Sequence, residues 1–316
     1  MRYRKLAGVV LAGIVGTVVV VGAAAAAAPF AATPAPGFYR IMLGDFEITA
    51  LSDGTLQLSH KTLLTHVTPA QLQRALQRSF TKDPVTTSVN GFLINTGAKL
   101  VLVDTGTGAA GGATLGKLLS NLQASGYQPG QVDEIYITHM HGDHIGGLLA
   151  GDSAAFPNAI VRADAREAAY WLSQKNMDAA SPDSRDSFRQ AMAVFKPYLA
   201  SGHFKTFDGD AELVSGVRAR ATYGHTPGHA NYVVESRGEQ LVLWGDLMHS
   251  AAVQFADPAV TIRFDSNSVA AAAQRRKAFA DAAHRGYWVG AAHLPFPGLG
   301  HLGTEGKGYR WVPSGP

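Results

Sequence analysis

The chain has 316 residues, of which 46% are hydrophobic and 16% are charged, and it contains no cysteine. This composition supports a folded core rather than a disordered chain, and the lack of cysteine excludes disulfides, iron–sulfur clusters and thiolate nucleophiles. The formal net charge is +3, from 27 basic and 24 acidic side chains.

The excess positive charge lies at the N-terminus. Arg2, Arg4 and Lys5 precede an uncharged run of valine, alanine and glycine that extends to residue 28. This pattern predicts a cleaved signal peptide at 1–28, with an uncleaved membrane anchor as the alternative. Without these three cations the charges balance, so the sequence offers no basic footprint for nucleic acid.

A proline-rich stretch at 29–37 follows and is predicted to be a linker. Residues 38–316 are predicted to form one exported domain, which places it in the periplasm or outside the cell. Contact with a membrane is expected only if the leader is retained.

Short β-strands dominate the first third of the exported part, and helices and strands then alternate. Glycine-containing turns are predicted at 53–54 and 96–97. Two packed sheets with helices outside, an α/β class, would satisfy this order. The predicted strands are 39–43, 46–51, 90–95, 99–104, 132–138, 158–162, 217–222, 232–236, 241–244 and a closing strand, 287–291. The predicted helices are 114–125, 164–173, 185–199 and 268–285.

The strand at 132–138 leads directly into a run of metal-competent side chains. His139, His141, Asp143 and His144 fall within six positions, and the whole chain has only 12 histidines. In an extended segment, positions i and i+2 point to the same side, so two imidazoles can meet at one ion. Imidazole and carboxylate ligands suit zinc and other divalent first-row ions.

Further candidates stand where later strands end. His225 and His229 lie in a Gly-His-Thr-Pro-Gly-His loop, Asp246 follows Trp244-Gly245, and His293 follows the strand at 287–291. Side chains at strand ends are held by a rigid sheet, which favours accurate ligand geometry.

The His-x-His-x-Asp-His run, the Thr-Pro-Gly-His loop, the Gly-Asp pair and the late histidine occur in the order typical of the metallo-β-lactamase superfamily. The exported chain resembles this superfamily over nearly its whole length. Segments 43–54, 131–139, 251–255 and 296–298 further resemble methyl parathion hydrolase and its dihydrocoumarin hydrolase-like lactonase relatives. The resemblance implies a four-layer αββα sandwich and a homodimer.

The resemblance also implies two divalent metal ions, with zinc favoured over manganese, cobalt or iron. His139, His141 and His229 would hold the first ion, and Asp143, His144 and His293 the second. Asp246 would bridge the two ions. His225 is the competing ligand to His229, but a loop-structuring role is preferred for it, and Asp104 is predicted to orient a ligand histidine.

Such a centre supplies hydroxide at neutral pH, and Asp143 beside it is predicted to shuttle a proton to the leaving group. Small neutral lactones, aryl esters and phosphotriesters are the compatible substrates. His249 and Phe264 favour a flat lactone over a tetrahedral phosphotriester. The predicted substrate-binding residues are Trp171, His249, Phe264, Ile262, Phe188 and Leu63.

The sequence therefore predicts a secreted lactonase or arylesterase that uses a metal-bridging hydroxide. An organophosphate triesterase is the main alternative. A metal-binding protein without turnover and a one-iron oxidative enzyme, as in persulfide dioxygenases of the superfamily, are more remote alternatives.

Overall fold

Two seven-stranded sheets carry the fold of residues 35–314, the part of the chain that the computed structural model describes. The predicted leader and most of the predicted linker lie outside these residues. The first sheet contains, in spatial order, β1 (Phe38–Leu43), β2 (Phe46–Leu58), β4 (Val85–Asn95), β5 (Leu100–Val103), β6 (Glu134–Tyr136), β9 (Ile160–Asp164) and β10 (Phe204–Phe207). The second contains β11 (Ala211–Val214), β12 (Val217–Ala221), β13 (Ala230–Ser236), β14 (Glu239–Leu243), β16 (Trp288–Gly290), β17 (Leu299–Glu305) and β18 (Gly308–Pro313).

Two short ladders and the helices complete the described elements. The ladders pair β3 (Leu64–Thr65) with β15 (Thr261–Ile262) and β7 (Leu149–Ala150) with β8 (Ser153–Ala154). The α-helices are α1 (His60–Leu63), α2 (Pro69–Arg78), α3 (Leu118–Ala124), α4 (Gly142–Ile145), α5 (Ala165–Trp171), α6 (Gln174–Ala179), α7 (Pro182–Ala200), α8 (Ala251–Gln254) and α9 (Ser268–Arg285). Within residues 35–314, none of these helices is long and apolar enough to cross a membrane.

Three apolar clusters separate four layers. Between the sheets, Tyr136 of the first stacks on Tyr232 of the second, with ring centroids 5.3 Å apart. Outside the first sheet, Leu122 of α3 and Phe195 of α7 belong to one buried cluster. Outside the second, Phe279 of α9 belongs to another. The predicted αββα sandwich is therefore confirmed.

Two predictions about the strands are wrong. Residues 53–54 form no turn, because β2 continues through them with a register shift between Ser52 and Gly54 that is typical of a β-bulge. The strand at 287–291 does not close the domain either, since β17 and β18 follow it and extend the second sheet. Glycines interrupt the alternation of apolar and polar side chains in β17, so the sequence pattern does not indicate a strand there.

The bulge places Asp53 where it holds a distant loop. Its buried carboxylate accepts hydrogen bonds from the backbone N–H groups of Thr107, Gly116 and Leu118 and from the Thr107 hydroxyl, over 2.7–3.1 Å. A Cβ at Gly106 would lie 2.3 Å from Asp53 Oδ1, so only glycine allows this approach. Asp53 thus fixes both ends of the loop from Thr107 to Leu118.

Parallel strand ends gather the predicted site at one edge of the sandwich. Strands β5, β6 and β9 are parallel in the first sheet, and β14 and β16 are parallel in the second. Their carboxyl ends meet at the same edge, where an α/β fold places its ligands.

Candidate metal centre

Four of the candidate ligands form a first group around one point. His139 Nε2 and His225 Nε2 lie 3.0 Å and 3.1 Å from His141 Nδ1. Asp246 Oδ2 lies 3.2 Å from His225 Nε2 and 3.5 Å from His139 Nε2. These four atoms all fall within 4.8 Å of one another, which suits one metal ion.

A second group lies on the other side of Asp246. His144 Nε2 and His293 Nε2 are 3.6 Å and 3.5 Å from Asp143 Oδ2. The same two nitrogens are 3.1 Å and 3.0 Å from Asp246 Oδ1. One oxygen of Asp246 therefore faces each group, which is the geometry of a bridging carboxylate.

The structure brings His225, and not His229, into the first group. His229 Nε2 accepts the backbone N–H of Asp246 at 3.1 Å, and its Nδ1 lies 2.8 Å from the hydroxyl of Thr222. Both of its ring nitrogens are thereby engaged with the protein. The prediction that His229, rather than His225, is the ligand is therefore wrong. His229 supports the backbone of Asp246, while His225 faces the other members of the first group.

Two buried carboxylates orient histidines of the two groups from behind. Asp104 Oδ2 lies 2.8 Å from His144 Nδ1, in the orienting position predicted for it. Asp265 Oδ1 lies 2.9 Å from His225 Nδ1, a contact that was not predicted from the sequence. Asp265 stands forty positions after His225 with no motif around it, so only the folded chain reveals the pair. Such partners fix the ring orientation and the tautomer of a ligand histidine.

The donor set fits two divalent cations. His144 Nδ1 donates to Asp104, and its Nε2 lies only 3.1 Å from an oxygen of Asp246. Both His144 Nε2 and Asp246 Oδ1 are buried and lack a hydrogen-bond partner. A cation between these two atoms satisfies both. Burial acts to lower the pKa of His144, but Asp246, Asp143 and Asp104 outweigh it and hold that pKa well above its ordinary value, so a proton takes the place that a metal ion would fill.

Burial and the neighbouring carboxylates together set the protonation of the first group. Burial lowers the pKa of His141 to about 3, helped by the neighbouring His225, and it holds the pKa of His139 well below its ordinary value. Burial also acts to lower the pKa of His225, but Asp246 and Asp265 outweigh it and raise that pKa to about 9. Burial acts to raise the pKa of Asp246, but the surrounding imidazoles, His144 first, outweigh it and keep that pKa well below the usual range. Neutral imidazoles beside an ionised carboxylate are the forms that bind a metal.

The two groups line a cavity of about 660 Å³. Asp143, with 29% of its side chain exposed, faces this cavity, as does the partly buried His141, while the other members of the groups are buried. Trp171, Phe188, His249 and Phe264 line it as predicted. Tyr170 and the loop residues Thr107, Ala110 and Gly111 also line it.

Ile262 and Leu63 do not line this cavity, and their predicted substrate role is corrected. Ile262 is buried in a separate apolar cluster with Leu64 and Leu72, and Leu63 packs against that cluster. Ile262 lies on β15, which pairs with β3, and Leu63 is the last residue of α1; both pack against the cluster that includes Leu72 of α2. Their aliphatic character serves the packing of that helix.

Metal removal is expected to lower the stability of the protein. A ligand that binds only the folded state at 100 times its Kd stabilises that state by about 2.7 kcal/mol. For a domain of this size, chelator-treated protein should therefore unfold about 5 °C or more below the metal-loaded protein. Differential scanning calorimetry with and without added zinc, manganese or cobalt measures this. Identical Tm values in every condition would contradict a metal centre.

Comparisons with known proteins agree with this geometry. The profile of the metallo-beta-lactamase superfamily matches residues 85–285. A solved structure described as hydrolase AbOPH in the beta lactamase superfamily is 38% identical, has a TM-score of 0.85, and covers 90% of this chain and 99% of that chain. AidC, a dizinc quorum-quenching lactonase solved with a product, is 28% identical, has a TM-score of 0.82, and covers 88% and 98% of the two chains.

Curated relatives include an N-acyl homoserine lactonase of Bacillus cereus, 26% identical over 163 residues. The match covers 51% of this chain and 56% of that relative. The corresponding lactonase of Bacillus thuringiensis is 30% identical over 129 residues, or 40% of this chain and 42% of the relative. The chain thus spans about half the length of the curated relatives that it matches.

Proposed function

Because the chain belongs to the metallo-beta-lactamase superfamily, we propose that it is a dizinc hydrolase that opens lactones and cleaves aryl esters. The observation that carries the proposal is the placement of Asp246. Its two carboxylate oxygens lie between two ligand groups, at the floor of a cavity large enough for a small organic substrate.

Two divalent cations, when bound, supply Lewis acidity and activate water at neutral pH. The residues of the chain provide the rest of the proposed mechanism. Asp143 is the cavity-facing carboxylate, and in the proposal its Oδ2 holds the proton that the leaving oxygen needs. His249 Nε2 lies 3.0 Å from Asp246 Oδ2 and steadies the bridging carboxylate.

The cavity wall supports a flat substrate. The rings of His249 and Phe264 lie 5.9 Å apart at one side of the cavity. Trp171 and Phe188 form an aromatic wall, with ring centroids 4.7 Å apart. A planar ester or lactone ring suits such walls better than a tetrahedral phosphorus with three substituents. Lactonases among the similar proteins support the same choice.

A substrate panel on metal-reconstituted protein tests the proposal. We expect kcat/KM on dihydrocoumarin and on an N-acyl homoserine lactone to exceed the value on methyl paraoxon at least tenfold. The reverse order would favour the phosphotriesterase alternative. If the protein binds metal but hydrolyses no lactone, aryl ester or phosphotriester, the result would favour the alternative of a metal-binding protein without turnover. Export by residues 1–28 remains part of the proposal and is supported by the sequence pattern alone.

A further inference from the structure

A carboxylate that belongs to neither ligand group lies buried behind the first one. Glu167 is on the first turn of α5, and its side chain is 0% exposed. It has no cationic partner within residues 35–314. A buried carboxylate is costly unless several donors satisfy it, so the identity of these donors indicates what the residue does.

The donors come from both loops that carry the first group. Glu167 Oε1 accepts the backbone N–H of Met140 at 2.8 Å, and Met140 stands between His139 and His141. Its Oε2 accepts the hydroxyl of Thr226 at 2.7 Å and the backbone N–H of Gly228 at 2.8 Å. Thr226 directly follows His225 in the chain. A single carboxylate therefore joins two loops that lie more than eighty positions apart in the sequence.

The second loop and α5 are also in direct contact. A Cβ at Gly228 would lie 2.3 Å from the backbone nitrogen of Glu167, so this close approach requires glycine. The helix itself is anchored, because Asp164 accepts the backbone N–H of Arg166 at its start. Glu167 is thus presented from a rigid element rather than from a mobile loop.

We infer that Glu167 is a positioning residue that sets the separation of the two histidine loops and so pre-forms the first ligand group before a metal binds. The inference rests on the proposed metal centre but not on the identity of the substrate. Residues that orient ligands in this way typically contribute 10–100-fold to metal affinity.

Glu167→Gln tests the inference, because the amide keeps the shape but turns an N–H toward at least one of the three donors. Titration of the metal-free protein with Co²⁺, followed by absorption and calorimetry, should resolve two binding events in the parent protein. In the variant, one event should weaken about 10–100-fold and the other should change less than threefold. Amide hydrogen exchange in the metal-free variant should accelerate in peptides that cover 137–143 and 224–231.

Glu134→Gln is the matched control. Glu134 is also buried, lies on β6 just before the first loop, and pairs with Arg162 at 2.5 Å and 3.2 Å without contact to either histidine loop. Loss of the Glu134 carboxylate should lower the stability of the protein, but it should not weaken one Co²⁺ binding event more than the other. If Glu167→Gln does not fold, Thr226→Val removes one of the three hydrogen bonds and should weaken the same event by a smaller factor.

The outcomes separate this inference from the proposed function. Unchanged Co²⁺ isotherms in Glu167→Gln and Thr226→Val, or equal weakening of both events in Glu167→Gln and Glu134→Gln, would overturn the positioning role. Absence of lactone hydrolysis by the parent protein would overturn the proposed function and leave the Co²⁺ result standing.

Discussion

Replacement of Asp246 by asparagine is expected to lower kcat/KM about 10³-fold or more and to leave at most one tightly bound metal ion per chain. Each oxygen of Asp246 faces one of the two ligand groups, at 3.0–3.2 Å from the nearest imidazole nitrogens. An amide offers one oxygen and no charge, so the two cations would lose their shared counter-charge. Metal analysis after gel filtration and steady-state kinetics measure both effects.

Asp265→Asn is the control for this prediction. Asp265 is another buried carboxylate that touches the site, but it contacts His225 from behind at Nδ1. Its loss should weaken metal binding only about 10–100-fold and leave two ions at saturating metal. Two tightly bound ions and near-parental turnover in Asp246→Asn would rule out the bridging role.

Asp143→Asn should separate metal binding from catalysis. Asp143 is a partly exposed member of the second group, and it does not contact the first group's four atoms within the distances of a hydrogen bond. The first group should therefore keep its metal, while kcat falls about 10²–10⁴-fold because the proton carrier is lost. Metal stoichiometry and kcat on the same preparation check the two parts together.

Ser187→Ala provides the comparison for Asp143→Asn. Ser187 lines the same cavity but belongs to neither ligand group. Its removal should change kcat less than threefold. A similar loss in both variants would indicate general damage to the cavity, and full activity in Asp143→Asn would exclude the proposed proton transfer.

Sequence reasoning locates the site because its most informative signal is local. His139, His141, Asp143 and His144 lie in one short segment that follows a strand, and the folded chain places all four in the two groups. The order of strands and helices likewise indicates two packed sheets with helices outside, and the resemblance to the superfamily implies the four-layer sandwich.

The choice between His225 and His229 could not be made in this way. Both stand in one loop, four positions apart, and only the path of that loop decides which ring faces Asp246. The turn closed by Gly224 N–H and Thr226 carbonyl directs His225 inward, while Thr222 holds His229 behind. Support from Asp265 and Glu167 likewise depends on contacts across 27 to 61 positions, which leave no local pattern.

Asp53 anchors the loop between Thr107 and Leu118 at its ends, whereas Ala110 lines the cavity from the tip. The tip residue that lines the cavity therefore takes no part in holding the loop in place. The ends of this loop are tied to the sandwich, but Ala109, Ala110, Gly112 and Ala113 at its tip are exposed and small. Ala109, Ala110 and Ala113 can be exchanged without loss of the four hydrogen bonds to Asp53 or of any member of the two ligand groups, whereas Gly112 has a φ of +71° that favours glycine. Substrate preference can therefore diverge at low thermodynamic cost, while the catalytic centre stays constant.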